Sequence, residues 1–339
     1  MRVLVTGGAG YIGSHTVVEL LTQHHEVVII DDLSNAKEEV LRRIQTISGK
    51  SPIFYRGQVQ DEALLTSIFK AHSLDAVIHF AGYKAVGESV EKPLKYFENN
   101  LLSTIVLLRV MEQFNVKKLV FSSSATVYGT PTKMPLTEAD PIGGTTNPYG
   151  ATKFMNELII KDYCVAHPEM AATMLRYFNP IGAHPTGLIG EDPQGIPNNL
   201  MPFITQVAIG KRPHLNVFGN DYPTRDGTGV RDYIHVVDLA LGHVASLEKM
   251  QHASGYVVYN LGTGKGTSVL ELVHAFETAN QVSIPLQIQP RRSGDIAENY
   301  ADCTKSNREL GWVATRTLVD ACRDSWKWQS QNPSGYDHS

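Results

Sequence analysis

The chain has 339 residues, of which 42% are hydrophobic and 19% charged, and its formal net charge is −4. This length provides a core sufficient for one large or two small domains. With 30 basic and 34 acidic residues and no basic block, the composition excludes an extended nucleic-acid or membrane surface.

The chain begins with a pattern typical of a strand, a glycine turn and a helix. The apolar run 2–6 is followed by Gly7, Gly10 and Gly13, and then by apolar residues at helical spacing. Such glycines let the backbone turn tightly and approach a pyrophosphate, which the free N–H groups of the helix start can bind. A glycine triplet alone is weak evidence for a dinucleotide site.

The second strand, 26–30, strengthens this interpretation because it ends in Asp31 and Asp32. An acidic residue at this distance from the glycines accepts hydrogen bonds from an adenosine ribose. A carboxylate there also repels a 2′-phosphate, so NAD is favoured over NADP. The alternative is a solvated acid at a strand end.

Strands and helices then alternate along the chain. Further strands are predicted at 53–56, 75–80, 118–122 and 172–177, with helices at 62–71 and 96–114 between them. Their continuous apolar cores indicate strands covered on both faces, as in a doubly wound parallel sheet of the Rossmann type. The carboxyl ends of such strands form the ligand crevice.

A further helix is predicted to start at Asn147, a good N-cap, with Pro148 in its first turn. Tyr149 and Lys153 then lie one turn apart on the same face. A nearby ammonium favours the phenolate and lowers the pKa of a tyrosine, which can then take a proton from a substrate hydroxyl. A chance Tyr-x-x-x-Lys in an ordinary helix is the alternative.

Beyond Tyr177 the chain becomes irregular and rich in Gly and Pro up to Asn199, as binding loops often are. We predict a Rossmann domain at 1–179 and a smaller α/β lobe at 180–339 that mainly binds substrate, with some segments returning to the first domain. Loop arginines 231 and 292 suit a diphosphate, although ordinary surface salt bridges remain an alternative.

Other residues predict no further chemistry. Cys164, Cys303 and Cys322 lack metal-ligand spacing and are expected to be buried free thiols in a reducing compartment. The histidines also show no zinc spacing, so no metal is expected. Because neither a signal peptide nor a run of 18 apolar residues is visible, we expect a cytoplasmic protein.

Together, the glycine turn, Ser124 and Tyr149-x-x-x-Lys153 resemble the extended short-chain dehydrogenase/reductase family. Further motifs resemble the UDP-glucose 4-epimerases within that family: 86–89 (VGES), 122–129 (SSSATVYG), 176–180 (RYFNP), 195–202 (GIPNNLMP), and the segments around Arg231 and Arg292. The resemblance extends from residue 1 to about 336.

The resemblance implies an NAD-dependent isomerase of carbohydrate metabolism that interconverts UDP-glucose and UDP-galactose. Tyr149 takes the proton of the sugar 4-hydroxyl while the C4 hydride passes to bound NAD, and Ser124 hydrogen-bonds the same oxygen. The 4-keto sugar then rotates and receives the hydride on its other face. Lys153 bonds the nicotinamide ribose.

Family position also implies the binding residues. The expected NAD site comprises Gly7, Gly10, Tyr11, Ile12, Gly13, Asp31, Asp32, Asn35, Gln58, Val59, Phe80, Ala81, Lys84, Asn99, Ser124, Tyr149, Lys153 and Phe178. The expected UDP-sugar site comprises Ser124, Tyr149, Asn179, Asn199, Leu200, Asn216, Phe218, Arg231, Tyr233, Arg292, Asp295 and Asn299.

Three positions depart from the family pattern. Gln58 stands where an aspartate commonly faces the adenine amine, and Asn216 where a small residue commonly lines the uracil pocket. Asn299 stands where a tyrosine accompanies restriction to UDP-glucose and UDP-galactose. We expect Asn299 to leave room for a 2-acetamido group, which adds UDP-GlcNAc and UDP-GalNAc to the expected substrates.

Three alternative functions differ in their chemistry. A nucleotide-sugar 4,6-dehydratase needs an acid–base pair directly after Ser124, where this chain has Ala125 and Thr126. A UDP-glucuronate 4-epimerase is chemically closer, but the motifs favour the neutral sugar. A non-catalytic NAD-sensing protein would not need Ser124, Tyr149 and Lys153.

The resemblance further implies a homodimer that pairs the helix at 96–114 and the Tyr149 helix of each subunit. Apolar residues compatible with such a face are Leu101, Ile105, Leu108, Val110, Met111, Leu158 and Ile159. Periodicity does not distinguish a dimer face from a core face.

Overall fold

The computed structural model describes residues 1–292 and 294–337; Ser293, within the predicted arginine loop, lies outside them. The strands are β1 Arg2–Thr6, β2 Glu26–Asp31, β3 Ile53–Arg56, β4 Ala76–His79, β5 Lys118–Ser124, β6 Ala171–Tyr177, β7 Asn179–Ile181, β8 Leu215–Phe218, β9 Val230–His235, β10 Gly255–Leu261, β11 Gly266–Ser268, β12 Leu286–Gln289 and β13 Glu298–Asn299.

The α-helices are α1 Tyr11–Thr22, α2 Glu39–Ser48, α3 Glu62–Ala71, α4 Val86–Glu91, α5 Pro93–Gln113, α6 Pro148–Ala166, α7 Leu200–Ala208, α8 Val236–Lys249, α9 Val269–Asn280, α10 Thr304–Leu310 and α11 Leu318–Gln331. Short 3₁₀ helices span Ala125–Tyr128 and Met250–His252. None of the helices in the described ranges combines the length and apolar composition needed to cross a bilayer.

The central sheet has seven strands in the order β10-β6-β5-β4-β1-β2-β3. All of its strand pairs are parallel. The order reverses between β1 and β4, and this reversal opens a ligand crevice at the carboxyl ends of both strands. The sheet therefore places the glycine turn after β1 beside the segment that follows β4.

Helices cover both faces of this sheet, and each face has its own apolar cluster. One cluster contains buried residues of α1 and α8 such as Val17, Leu20 and Leu239. The other contains buried residues of α3, α5 and α6, including Ile68, Leu107 and Ile160. This arrangement confirms the predicted doubly wound parallel sheet.

The C-terminal half contributes both to this sheet and to a smaller lobe. β10 pairs with β6 over its full length, and α8 packs on α1. The smaller lobe contains β7, β9, β11 and β13 in one sheet, β8 and β12 in another, and an apolar cluster formed with α7, α9 and α11. The predicted boundary between the two domains at residue 179 remains a proposal. Residues 338–339 of the predicted second domain, 180–339, lie outside the residues that the structure describes.

Candidate active site

The backbone of the glycine turn packs closely against neighbouring backbone segments. Gly7 has a φ of +70°, and a Cβ at this position would lie 2.8 Å from the Ala81 nitrogen. A Cβ on Gly13 would lie 2.2 Å from the Gly7 oxygen. Both contacts are too short for any side chain, so these positions require glycine.

The start of α1 is open to an anion. Its N-cap is Gly10, which has no side chain to bond the first-turn N–H groups, and no acidic residue lies in that turn. Four N–H groups at a helix start lack partners within the helix and carry partial positive charge. The turn and helix start therefore fit the pyrophosphate of a dinucleotide such as NAD.

Asp31 connects the end of β2 to this turn. Its carboxylate accepts hydrogen bonds from the backbone nitrogens of Ala9 at 3.0 Å and Leu33 at 2.9 Å. Burial raises the pKa of Asp31, and the two N–H bonds oppose this shift. Gln58 donates its amide nitrogen to Asp32 at 3.5 Å, so its amide oxygen is the atom left to accept the predicted adenine bond.

Several other residues of the predicted NAD site make defined contacts. Ala81 donates its backbone N–H to Thr6 Oγ1 at 3.2 Å, and Asn99 Oδ1 accepts a 2.6 Å bond from Gln60. The Tyr11 hydroxyl donates to the Gly182 oxygen at 2.7 Å and so joins α1 to the chain after β7. Val59 and Phe178 are buried, whereas Asn35 and Lys84 are exposed.

The predicted start of α6 is confirmed. Asn147 caps the helix by accepting a 2.8 Å hydrogen bond from the Gly150 nitrogen, and Pro148 occupies the first turn. This local geometry brings Tyr149 and Lys153 to the carboxyl end of β5, where Ser124 is the last strand residue.

The Ser124 side chain lies close to the Tyr149 hydroxyl. Burial raises the pKa of Tyr149, and interaction with the Ser124 side chain lowers it by a smaller amount. We expected the Lys153 ammonium to lower this pKa as well. Instead, Lys153 Nζ donates to the Ser122 carbonyl at 2.6 Å and lies 6.0 Å from the centre of the Tyr149 ring, so burial dominates in the protein alone.

Lys153 is itself perturbed. Burial lowers its pKa to about 8, and the Glu157 carboxylate one helical turn away raises it. A lysine with this pKa titrates close to neutral pH, and perturbed pKa values of this kind are common among functional residues in clefts.

A buried ion pair behind Lys153 was not predicted. The Glu157 and Arg176 side chains are 1% and 3% exposed, and Arg176 Nη2 lies 2.6 Å from Glu157 Oε2. Glu157 also accepts a 2.5 Å bond from the hydroxyl of Ser123, the residue before Ser124. The sequence places residues 149, 153 and 157 on one face of the helix. It did not indicate that Glu157 is buried, because a glutamate in a helix is typically solvated.

The predicted substrate residues converge on the small sheet around β9. Asn179 pairs with Tyr233, and Asn299 pairs with Arg231. Burial raises the pKa of Tyr233 to about 12, while Arg231 and Arg292 both oppose this shift. Both guanidinium groups therefore lie close to one phenol, as a shared anion site requires.

These arginines differ in how they are held. Arg231 donates to the carbonyl oxygens of Val230 and Ala297, which leaves its charge uncompensated by those contacts. Arg292 is exposed, pairs with Asp295 at 2.8 Å and lies 4.7 Å from the centre of the Phe218 ring.

The structure also describes the remaining predicted substrate residues. Asn216 accepts a 3.2 Å bond from Gln289, and Asn199 and Leu200 stand at the start of α7. Within the part of the chain that the structure describes, Asn299 Oδ1 is buried without a hydrogen-bond partner.

Comparison with known proteins agrees with this geometry. The sequence profile of the family described as GDP-mannose 4,6 dehydratase matches residues 4–325. The UDP-glucose 4-epimerase of Bacillus subtilis is 58% identical over 336 residues, which cover 99% of each chain. The chain belongs to the UDP-glucose 4-epimerase family.

Two further UDP-glucose 4-epimerases extend the match. That of Mus musculus is 58% identical over 341 aligned residues, covering 99% of this chain and 98% of the mouse protein. The crystal structure of the Bifidobacterium longum enzyme in complex with NAD⁺ and UDP superposes with a TM-score of 0.96 at 54% identity, covering 99% of this chain and all of that one. The similarity to the UDP-glucose 4-epimerase family thus spans both the Rossmann sheet and the small lobe.

Proposed function

We propose that this chain interconverts UDP-glucose and UDP-galactose by inverting C4 of the hexose through a 4-keto sugar. The observation that carries this proposal is the position of α6. The helix holds Tyr149 and Lys153 against Ser124, between a glycine turn that fits a dinucleotide and two arginines that converge on Tyr233. The similarity to epimerases over the whole chain supports the same conclusion.

We assign the NAD site to the glycine turn and the residues expected around it. The α1 start would bind the pyrophosphate, and Asp31 would accept from the adenosine ribose, with Asp32 and Gln58 nearby. When bound, NAD supplies the acceptor that takes the C4 hydride and later returns it.

The chain's own residues move the proton and hold the sugar. Tyr149 takes the proton of the 4-hydroxyl, and Ser124, close to the Tyr149 hydroxyl, orients that oxygen. Lys153 stabilises the developing phenolate by its charge, which it retains below a pKa of about 8. Arg231 and Arg292 hold the diphosphate while the hexose turns to present its other face.

The residues after Ser124 argue against a dehydratase. Removal of water from a keto sugar needs an acid and a base beside the ring, whereas Ala125 and Thr126 supply neither. The full-length relatives named as epimerases also do not favour a uronate-specific enzyme or a non-catalytic protein.

The substrate range is proposed to include the N-acetylated pair. Asn299 is partly buried beside Arg231, and its unpartnered Oδ1 offers an acceptor in the region where the hexose is expected. Asparagine is also smaller than the tyrosine associated with exclusion of the acetamido group.

We further propose a homodimer formed by α5 and α6. Leu108, Val110 and Met111 pack in the monomer core, so they are not available to a partner. Ile105 and Leu158, in contrast, remain 39% and 40% exposed, together with Leu102, Met155 and Val165. A second copy of the chain would cover this apolar face by packing helix against helix.

Light scattering after gel filtration tests the dimer. Leu158→Glu is expected to give a monomer, because it places a charge in the apolar face. Leu286→Glu is the matched control, since Leu286 is 42% exposed on β12, outside α5 and α6. A dimeric Leu158→Glu protein would contradict the assignment of this face.

The catalytic proposal is tested by purifying the protein without added cofactor and mixing it with UDP-galactose. Proton NMR is expected to show UDP-glucose forming without any second enzyme, and Tyr149→Phe to abolish turnover while NAD binding is retained. Failure of the wild-type protein to turn over UDP-galactose, even with added NAD, would contradict the proposal.

A further inference from the structure

His79 is a buried histidine at the end of β4, and none of the roles assigned above involves it. Its exposed fraction is 1%, and it pairs with Thr6 of β1 in the central sheet. Both ring nitrogens have partners: Nδ1 lies 2.6 Å from Thr6 Oγ1, and Nε2 lies 3.2 Å from Thr104 Oγ1. The imidazole therefore connects β1, where the glycine turn begins, to α5.

The surroundings of His79 determine its charge. Burial lowers the pKa of His79 to about 3, and the charge of Lys153 contributes a smaller part of this shift. The ring is therefore neutral at neutral pH. A neutral imidazole carries one N–H, so one of its nitrogens donates a hydrogen bond and the other accepts one.

The α5 side of the ring shows which nitrogen donates. The Thr104 hydroxyl donates its hydrogen to the Asn100 carbonyl oxygen at 3.3 Å, and the same oxygen accepts a 3.0 Å bond from Asn156 of α6. A hydroxyl has a single hydrogen, so Thr104 Oγ1 accepts from His79. The hydrogen of the ring is therefore on Nε2, and Nδ1 is the acceptor.

The β1 side of the ring fits the same assignment. The oxygen of the Thr6 hydroxyl accepts the Ala81 N–H at 3.2 Å, and its hydrogen points to His79 Nδ1. Among the residues that the structure describes, this hydroxyl has no other acceptor. The opposite tautomer would leave a buried hydroxyl hydrogen unpaired and would also remove the bond from Thr104 to Asn100, so it is disfavoured.

The bond from Ala81 to Thr6 lies at the floor of the ligand crevice. The Phe80 nitrogen donates to the Thr6 carbonyl oxygen at 3.0 Å, and the Ala81 nitrogen lies so close to Gly7 that no Cβ fits between them. This is the point between β1 and β4 where the strand order reverses and a dinucleotide binds. Phe80 and Ala81 are themselves residues of the expected NAD site.

We propose that His79 is a positioning residue of the NAD site: its Nδ1 orients the Thr6 hydroxyl, which in turn holds Ala81 against the glycine turn. The inference rests on the proposed function, because it takes NAD as the ligand of this crevice. Removal of Nδ1 leaves the Thr6 hydrogen without an acceptor, which favours another Thr6 rotamer and releases the Ala81 N–H. His79 thus acts through Thr6 and need not touch the cofactor.

Two substitutions of His79 separate its nitrogens. In His79→Asn, the amide oxygen can occupy the place of Nδ1 and accept from Thr6. In His79→Gln, the longer side chain can place its amide nitrogen where Nε2 was and donate to Thr104, which leaves Thr6 without an acceptor. Both variants lose the ring and its contact with Phe121, whose ring centre lies 5.8 Å away, so both should lose stability.

The test is the rate at which NAD-loaded protein releases NAD into cofactor-free buffer. We expect release about tenfold faster from His79→Gln than from wild type, and a much smaller change for His79→Asn. Turnover of UDP-galactose by His79→Gln should fall without added NAD and recover at saturating NAD. A purely structural role of the ring predicts that NAD release follows the melting temperature and does not distinguish the two variants in this way.

Thr6→Val and Thr104→Val form a matched pair, because each removes one buried hydroxyl that bonds to the same imidazole. Thr6→Val should accelerate NAD release, whereas Thr104→Val should leave the release rate near that of wild type. Thr6→Val should also add little in the His79→Gln background, since both substitutions break the same connection. If His79→Gln does not fold, this pair decides the question.

Nitrogen NMR of protein labelled with ¹⁵N-histidine tests the hydrogen positions directly. The His79 signals, identified by their absence from the His79→Asn spectrum, should show a neutral ring with its hydrogen on Nε2. A hydrogen on Nδ1 would overturn the inference, as would equal NAD release from His79→Asn and His79→Gln or from the two valine variants. A wild-type protein that binds no NAD would instead contradict the proposed function.

Discussion

Arg176→Met tests whether the buried pair with Glu157 holds the catalytic helix in place. The substitution removes the bidentate bonds from Arg176 Nε and Nη2 to the carboxylate, at 2.9 and 2.6 Å. It leaves Glu157, whose side chain is 1% exposed, without its cationic partner. Breaking a buried pair in this way costs about 3–5 kcal/mol of unfolding free energy.

Urea unfolding followed by circular dichroism measures this loss. Arg109→Met is the matched control, because the Arg109 and Glu62 side chains are 58% and 44% exposed. An exposed pair contributes about 0–1 kcal/mol, so the control should remain near wild-type stability.

A double variant, Arg176→Met with Glu157→Leu, distinguishes the cost of an unpaired buried charge from other effects of losing Arg176. Replacing both charges with apolar groups removes the buried unpaired carboxylate, so most of the lost stability should return. Turnover should stay low, because Ser123 loses its bond to α6. The reasoning is refuted if Arg176→Met costs no more than the Arg109 control, or if the double variant is no more stable than the single one.

Three further predictions follow from the site. Because burial lowers the pKa of Lys153 to about 8, kcat/KM should fall as pH rises through that value. Between pH 7.5 and 10.5 the unfolded chain keeps this proton while the folded protein loses it, so the free energy of unfolding should rise by about 2–3 kcal/mol relative to Lys153→Met. Equal pH dependence of the urea midpoints of the two proteins would contradict this. Gly13→Ala places a Cβ 2.2 Å from the Gly7 oxygen, so the purified protein should contain little NAD when the cofactor released on denaturation is quantified, and full retention would contradict the assignment of the glycine turn. Asn299→Tyr should reduce turnover of UDP-N-acetylgalactosamine at least tenfold while sparing UDP-galactose, as followed by NMR, and a parallel loss on both sugars would argue against a size filter.

Short sequence motifs predicted the parts of the site whose structure is determined by residues adjacent in the chain. The N-cap and proline at 147–148 determine where α6 starts, and the glycine turn determines where α1 starts. The alternation of apolar runs predicted the parallel sheet, since strands covered on both faces carry continuous apolar residues. These features are encoded within a few residues of where they act.

Non-local features were not predictable in the same way. Arg176 and Glu157 are 19 residues apart and meet only because β6 lies beside α6, and Glu191 reaches Lys84 across 107 residues. The strand β9 was interpreted as a loop motif because Arg231 and Asp232 interrupt its apolar pattern. Asp232 is nevertheless fully buried, where it accepts bonds from Thr263, Gly264 and Ala301.

Helix periodicity likewise did not separate the two apolar faces of α5. Met111 lies in the core and Ile105 is exposed, although both are apolar residues of the same helix. The difference arises from the packing of α5 against α3 and α6, which depends on the assembled sheet. The helices α2 and α4 were not predicted from the sequence.

In the proposed mechanism, the hydrogen on C4 leaves as hydride and returns to the same carbon. UDP-galactose carrying deuterium at C4 tests this most directly, with the product examined by NMR and mass spectrometry in ordinary water. We expect UDP-glucose that retains the deuterium at C4. Loss of the deuterium to solvent would show that the hydrogen departs as a proton, and would contradict the mechanism assigned to Tyr149, Ser124 and Lys153.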